Sequence, residues 1–247
     1  MKTKSPALKR TRLQRQRRAG SSRKAGCDTL QYAKSLGYTE REMRTVPKGT
    51  PVTHGCGNPT ALASLREGET VLDLGCGGGL DALLAARRVG HTGKVIGVDQ
   101  DAVVIAKARV NAARGGYRNV EFTVSPMDKL SLEGDSVDVV ISNCAINHAT
   151  DKPAVFREVR RVLKPGGRLL VSDLVATKRF SKQTARRVGK PWKEWLVAAS
   201  EKHEYLDAIE KAGFRHYGII AEAPFPMAEE HPLLKGRIIS LQIKGIK

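Results

Sequence analysis

Asp73-Leu74-Gly75-Cys76-Gly77-Gly78-Gly79 is the stretch on which the fold of this chain turns. The residues leading into it, Thr70–Leu74, are a short apolar run and read as a buried strand. The residues leaving it, 80–89, carry helical periodicity. Glycines between a strand and a helix let the backbone turn tightly and come close to a bound ligand. A dinucleotide fingerprint has the form G-x-G-x-x-G. Counted from Gly75, the place of its last glycine is taken by Leu80, which argues against a nicotinamide dinucleotide.

Outward from the turn the pattern repeats. Residues 94–98 read as a second strand, 102–113 as a second helix, 120–124 as a third strand and 137–142 as a fourth. A helix over 153–163 starts with Pro153, which a first turn tolerates. Lys164-Pro165-Gly166-Gly167 is read as its end, and 168–172 as a fifth strand. Strands alternating with helices predict an α/β fold, a doubly wound and mostly parallel sheet with helices on both faces. Such sheets bind ligands at the carboxyl ends of their strands. Later, 204–212 reads as a helix stopped by Gly213, and 217–222 and 237–244 alternate as two final strands, giving an antiparallel terminal strand. A loop rich in Pro, Glu and His joins them. Upstream, helix-like patches lie around 30–33 and 40–43, and Pro47, Gly49 and Pro51 then punctuate a loop. Three parts follow: a basic arm over 1–26, expected to be disordered; a helical and loop segment over 27–68; and a domain over 69–247, with a cofactor half at 69–175 and a substrate half at 176–247.

Of the 247 residues 40% are apolar, as in ordinary globular proteins, and no run is long enough to span a membrane. No apolar leader opens the chain, so a cytoplasmic protein is expected. The net charge of +18 is uneven. Residues 1–24 hold ten Lys or Arg and no acid, which leaves +8 for the rest. Such an arm suits nucleic acid or an anionic surface, although it lacks an aromatic residue for base stacking. The four cysteines, Cys27, Cys56, Cys76 and Cys144, have no zinc spacing and give no sign of a disulfide framework. Cys76 reads as a small residue within the turn. Cys56 stands in a Gly/Pro-flanked loop, where exposure is expected.

Asp99 ends the second strand 24 residues after Gly75, where a carboxylate can accept hydrogen bonds from ribose hydroxyls, with Gln100 beside it. Met127 and Asp128 follow the third strand, on the adenine side of such folds. Asn143 follows the fourth strand, where it can orient substrate or cofactor, and His148 lies further on as a possible base or cap. The Asp-x-Gly-x-Gly-Gly pattern from Asp73 to Gly78 resembles motif I of class I S-adenosylmethionine-dependent methyltransferases. That resemblance implies a Rossmann-like fold, Asp73 at the methionine end of the cofactor, and Gly75, Cys76 and Gly77 passing under it.

More specific pieces resemble the arsenite methyltransferase family. They are Gly55-Cys56-Gly57-Asn58-Pro59, Glu69 to Gly75, Ser142-Asn143-Cys144-Ala145-Ile146-Asn147, Asp151-Lys152-Pro153 and Arg161 to Gly167. The resemblance implies that Cys56 and Cys144 hold a trivalent arsenical, with Cys27 as a further family cysteine. Soft, thiophilic arsenic suits thiolates, and its own lone pair attacks the methyl, so no general base is needed. One family cysteine is replaced by Trp195. Three readings stand: a cellular thiol such as glutathione or thioredoxin supplies a bond, the substrate is already methylated, or the substrate is an organic small molecule methylated at carbon or oxygen. An RNA-associated role through the arm is a further alternative, although Ser142-Asn143-Cys144-Ala145 is unlike the Asn/Asp-Pro-Pro-aromatic motif of base-amine methyltransferases. A monomer without membrane association is expected.

Overall fold

A computed structural model describes residues 29–50, 52, 55–189, 192, 196 and 199–247. The arm, Cys27 and Trp195 lie outside the described residues. Seven strands form one sheet: β1 (Thr70–Leu74), β2 (Lys94–Asp99), β3 (Val120–Val124), β4 (Val137–Asn143), β5 (Leu163–Ala176), β6 (His216–Pro224) and β7 (Ile238–Ile246), in the order β3-β2-β1-β4-β5-β7-β6. The first five pair in parallel, and β7 runs antiparallel to both β5 and β6. The chain leaves β1 toward β2 and β3, then returns to place β4 on the other side of β1. The crevice between the carboxyl ends of β1 and β4 is therefore the switch point at which such sheets take ligands.

The helices are α1 (Thr29–Ser35), α2 (Glu40–Thr45), α3 (Pro59–Leu62), α4 (Leu80–Arg88), α5 (Ala102–Arg114), α6 (Lys152–Val162), α7 (Lys182–Arg187), α8 (Lys202–Lys211) and α9 (Pro226–Glu229), with a 3-10 turn over Ile146–His148. Alternate residues of the central strands feed two cores. Val71, Val139 and Ile141 pack with α4 and α5; Leu72, Leu74 and Val140 pack with α6 and α8. Side-chain caps start two of the long helices. Asp101 caps α5 through the Val103 N–H (2.8 Å), and Asp151 caps α6 through the Ala154 N–H (2.8 Å).

One expected boundary is corrected. Lys164-Pro165-Gly166-Gly167 does not separate helix from strand, because Leu163 already pairs with Val137. The Pro-Gly-Gly step is an irregularity after which Arg168 pairs with Val139. At the far end β5 runs past Ser172 to Ala176 because β7 continues to pair with it. That extension carries Asp173 into the site. Two short helices, α7 and α9, lie where helical periodicity was not visible; α9 falls in the Pro- and Glu-rich loop.

Candidate active site

The glycine turn leaves β1 with Gly75 at φ +77, a left-handed conformation that glycine takes freely. The turn also leaves no space there: a Cβ on Gly75 would stand 2.2 Å from the Ala145 Cβ and 3.8 Å from the Met127 sulfur. These contacts put Met127 and the segment after β4 against the turn. Gly75 and Cys76 donate their N–H groups to Val98 O (2.8 and 2.9 Å). Asp99 Oδ2 accepts the Gly77 N–H (3.2 Å), and Asn111 from α5 donates to Gly78 O (2.9 Å). Asp99 is half-buried; Gln100 and Asp128 are exposed. Cys76 is buried, its sulfur 3.0 Å from where a Cβ on Gly97 would lie, so it packs between β1 and β2.

A cleft of about 380 Å³ opens over this turn, lined by Tyr38, Gly55, Asp73, Gly77, Asp81 and Asn143 among others. Asp73 and Asp81 are both buried in it. Burial first, then the neighbouring Asp81 charge, pushes the Asp73 carboxyl well up. Burial also raises Asp81 to about 6, against the hydrogen bonds it receives from Asn143 and Tyr38. Asp73 Oδ2 is buried with no hydrogen-bond partner.

Asn143 joins the two ends of the cleft. Its Nδ2 stands 3.0 Å from Asp81 Oδ2, 2.9 Å from the Tyr38 hydroxyl and 2.8 Å from Gly57 O, while its Oδ1 accepts the Cys56 N–H (2.9 Å). Asn143, expected to orient substrate or cofactor, lines the cleft, and its amide is engaged by protein groups that fix the Cys56 loop. The Tyr38 hydroxyl donates to Asp81 Oδ1 (2.8 Å), and the Tyr32 hydroxyl to Gly55 O (3.1 Å).

Next to the cleft, Cys56, Cys144 and Asp173 bring their Sγ and carboxylate oxygen atoms within 4.8 Å of one another. The expected exposure of Cys56 is overturned. The thiol is buried, because its loop is drawn under the segment by Asn143 and by the Ser240 hydroxyl, which donates to Cys56 O (2.6 Å). Burial, then the Cys144 thiol, then the Asp173 charge hold the Cys56 thiol well above its ordinary value. Cys144 sits just after β4 at φ +57, a left-handed conformation that costs a non-glycine residue about 1–2 kcal/mol. Its N–H is anchored on Ser172 O (2.7 Å). All three described cysteines are free thiols.

Asp173 was not among the expected site residues. A charged residue inside the apolar run from Leu169 to Val175 was the available signal, since carboxylates are rarely buried without a task or a partner. Its Oδ2 accepts the Tyr205 hydroxyl (2.9 Å) and the Asn147 N–H (2.7 Å), and its Oδ1 accepts the Leu174 N–H (3.0 Å). Burial raises it to about 7 in spite of these donors. Asn147 Oδ1 and Ser172 Oγ are buried without partners close by. His148, by contrast, is exposed in the 3-10 turn.

Residues 65–213 match the family model described as a methyltransferase domain. The arsenite methyltransferase of Halobacterium salinarum is 48% identical over 145 residues, covering 59% of this chain and 37% of that protein. That of Aquipseudomonas alcaligenes is 34% identical over 183 residues, covering 71% of this chain and 52% of that protein. The chain thus spans about a third to a half of the length of these curated relatives. The crystal structure of an arsenic(III) S-adenosylmethionine methyltransferase from Chlamydomonas reinhardtii superposes with a TM-score of 0.68 at 29% identity, covering 90% of this chain and 75% of that one. The expected fold and the expected family resemblance are both borne out.

Proposed function

The chain belongs to the methyltransferase domain family, and we propose on that premise that it carries a methyl group from S-adenosylmethionine to a trivalent arsenical held by Cys56 and Cys144. The observation that carries this reading is the meeting of two buried free thiols beside the glycine-turn cleft, although they are 88 residues apart in sequence. The names of the relatives support the same chemistry.

The residues present fit the cofactor. Asp73 Oδ2 is a buried acceptor without a partner, and Asp73 and Asp81 form a desolvated acidic pair suited to a cationic ligand. The glycine turn presents backbone, not side chain, to the cleft. Asp73 would hold the methionine end, Asp99 the ribose and Met127 the adenine side; Gly75, Cys76 and Gly77 would form the floor, with Gln100 and Asp128 at the exposed rim. When bound, S-adenosylmethionine supplies a methyl group on a positively charged sulfur. Cys56 and Cys144 replace the hydroxyls of the arsenical and fix its position, and Asn143 holds the Cys56 loop against the cleft wall. Positioning of this kind supplies much of the rate, because the arsenic lone pair is itself the nucleophile. The domain over 69–247 would carry the reaction and the segment over 27–68 would close it, with Cys27 as an additional thiol. Glutathione or thioredoxin would serve as the outside thiol source.

The test is methyl transfer from S-adenosylmethionine to arsenite and to methylarsenite with glutathione present. Turnover is expected in the wild type and its loss in Cys56→Ser and Cys144→Ser. Undiminished methylation by the double serine variant would overturn the assignment.

A further inference from the structure

Two thiols do not complete a trivalent arsenic atom, which forms three bonds. The third group of the buried cluster is a carboxylate, not a thiol. A carboxylate has about four lone-pair positions, and Asp173 spends three of them on Tyr205, Asn147 and Leu174. One acceptor position remains on a carboxyl group that brings an oxygen within 4.8 Å of both sulfurs. We propose that Asp173 accepts a hydrogen bond from the single hydroxyl that a two-thiol site leaves on arsenic, so that the site selects inorganic arsenite over methylarsenite. The proposal rests on the two-thiol reading above and names its substrate.

The bonds balance without an oxidant or reductant. Arsenite enters with three hydroxyls. Two As–O bonds break and two As–S bonds form, and each thiol proton leaves on a departing hydroxide as water. One As–OH remains, directed at the carboxylate within the 4.8 Å cluster. Methylarsenite has two hydroxyls and loses both to the thiols. Its third substituent is a methyl, which cannot donate a hydrogen bond and would leave the remaining acceptor position of the buried carboxylate unfilled. Asn147 Oδ1 and Ser172 Oγ, buried and unpartnered, sharpen the contrast, since buried polar atoms call for polar neighbours. Asn147 offers its backbone N–H to Asp173, and Ser172 precedes it in β5.

The experiment takes as parent the full chain carrying Cys27→Ser, so that no additional thiol competes for the third bond, loads it separately with arsenite and with methylarsenite, and measures both dissociation constants together with arsenic X-ray absorption. The parent should prefer arsenite by roughly tenfold, the worth of one charged hydrogen bond. Asp173→Asn, close in shape, should bring the preference near unity. Asp173→Cys in the same background should convert a shell of two sulfurs and one oxygen into three sulfurs, read on protein whose cooperative urea unfolding shows that it is folded, since an unfolded chain could also gather three thiols. An unchanged preference in Asp173→Asn, or an unchanged shell in Asp173→Cys, would overturn the inference. Arsenite binding that survives Cys56→Ser and Cys144→Ser would instead overturn the two-thiol reading beneath it.

Discussion

Asp81 shares with Asp73 the protons that shape the pH response of the cleft. Its carboxyl is raised from 3.8 to about 6 by burial, so the folded state holds a proton that the unfolded chain would release. A raised carboxylate contributes a stability that declines as pH rises from the unfolded value through the folded one. A cationic ligand reverses the preference, because it favours the ionised form. Cofactor affinity is therefore expected to strengthen as pH rises through about 6, by up to about tenfold per unit, and to strengthen further as Asp73, held well up by burial and by Asp81, ionises. Calorimetric titration with S-adenosylhomocysteine, which lacks the sulfonium but keeps the ammonium, measures this directly. Asp81→Asn should flatten the profile; an identical slope in that variant would place the titration elsewhere. Asp81 was not legible as a site residue, because an acid in the first turn of a helix is adequately explained by the helix dipole. Its contacts with Tyr38 and Asn143 join positions 43 and 62 residues away.

At the scale of elements, Arg168 joins the start of β5 to the loop before β1. Its guanidinium meets both Glu69 oxygens (2.8 and 2.7 Å) and donates to Ala63 O and Ser64 O (3.0 Å each). Both side chains are mostly buried, at 16% and 13% exposed, so water competes poorly for this fork. Arg168→Ala is expected to cost about 1–3 kcal/mol, and Arg168→Lys part of that, because an ammonium cannot serve four acceptors in one plane. Urea denaturation of the two variants gives the comparison, and equal stability of all three proteins would remove the fork from the account. The elements themselves were largely readable. Alternation of apolar runs with helical periodicity located β1 to β5 and α4 to α6 because each buries one repeating face. β5 was cut short at both ends, since Pro165-Gly166-Gly167 looks like a terminator and Ser172-Asp173 looks like an exit from the core. Both are tolerated because partner strands continue past them. The four-residue helices α3 and α9 are too short to show a period.

For the whole molecule, the arrangement poses a problem of access. Cys56 and Cys144 are 3% and 6% exposed. The glycine turn, its strand and Cys144 belong to the sheet, whereas Cys56 arrives on a loop held to it by Asn143, Ser240 and Tyr32. No sequence spacing could reveal that convergence, since it depends on β4, β5 and β7 lying side by side. A substrate reaches both thiols only if the loop lifts, a local opening with its own free energy. Alkylation by iodoacetamide should therefore be slow at Cys56 and Cys144 in the native protein relative to the urea-unfolded chain, with both sites followed by peptide mass spectrometry. Asn143→Ala removes both of its loop contacts at once, to the Cys56 N–H and Gly57 O, together with those to Tyr38 and Asp81. It should raise the labelling rate at Cys56 by about tenfold or more, as expected when an opening equilibrium loses one to two kcal/mol of hydrogen bonding. Labelling that is fast in the wild type, or unchanged in Asn143→Ala, would show that the thiols are reached without moving the loop, and the burial of Cys56 would then not gate the entry of substrate.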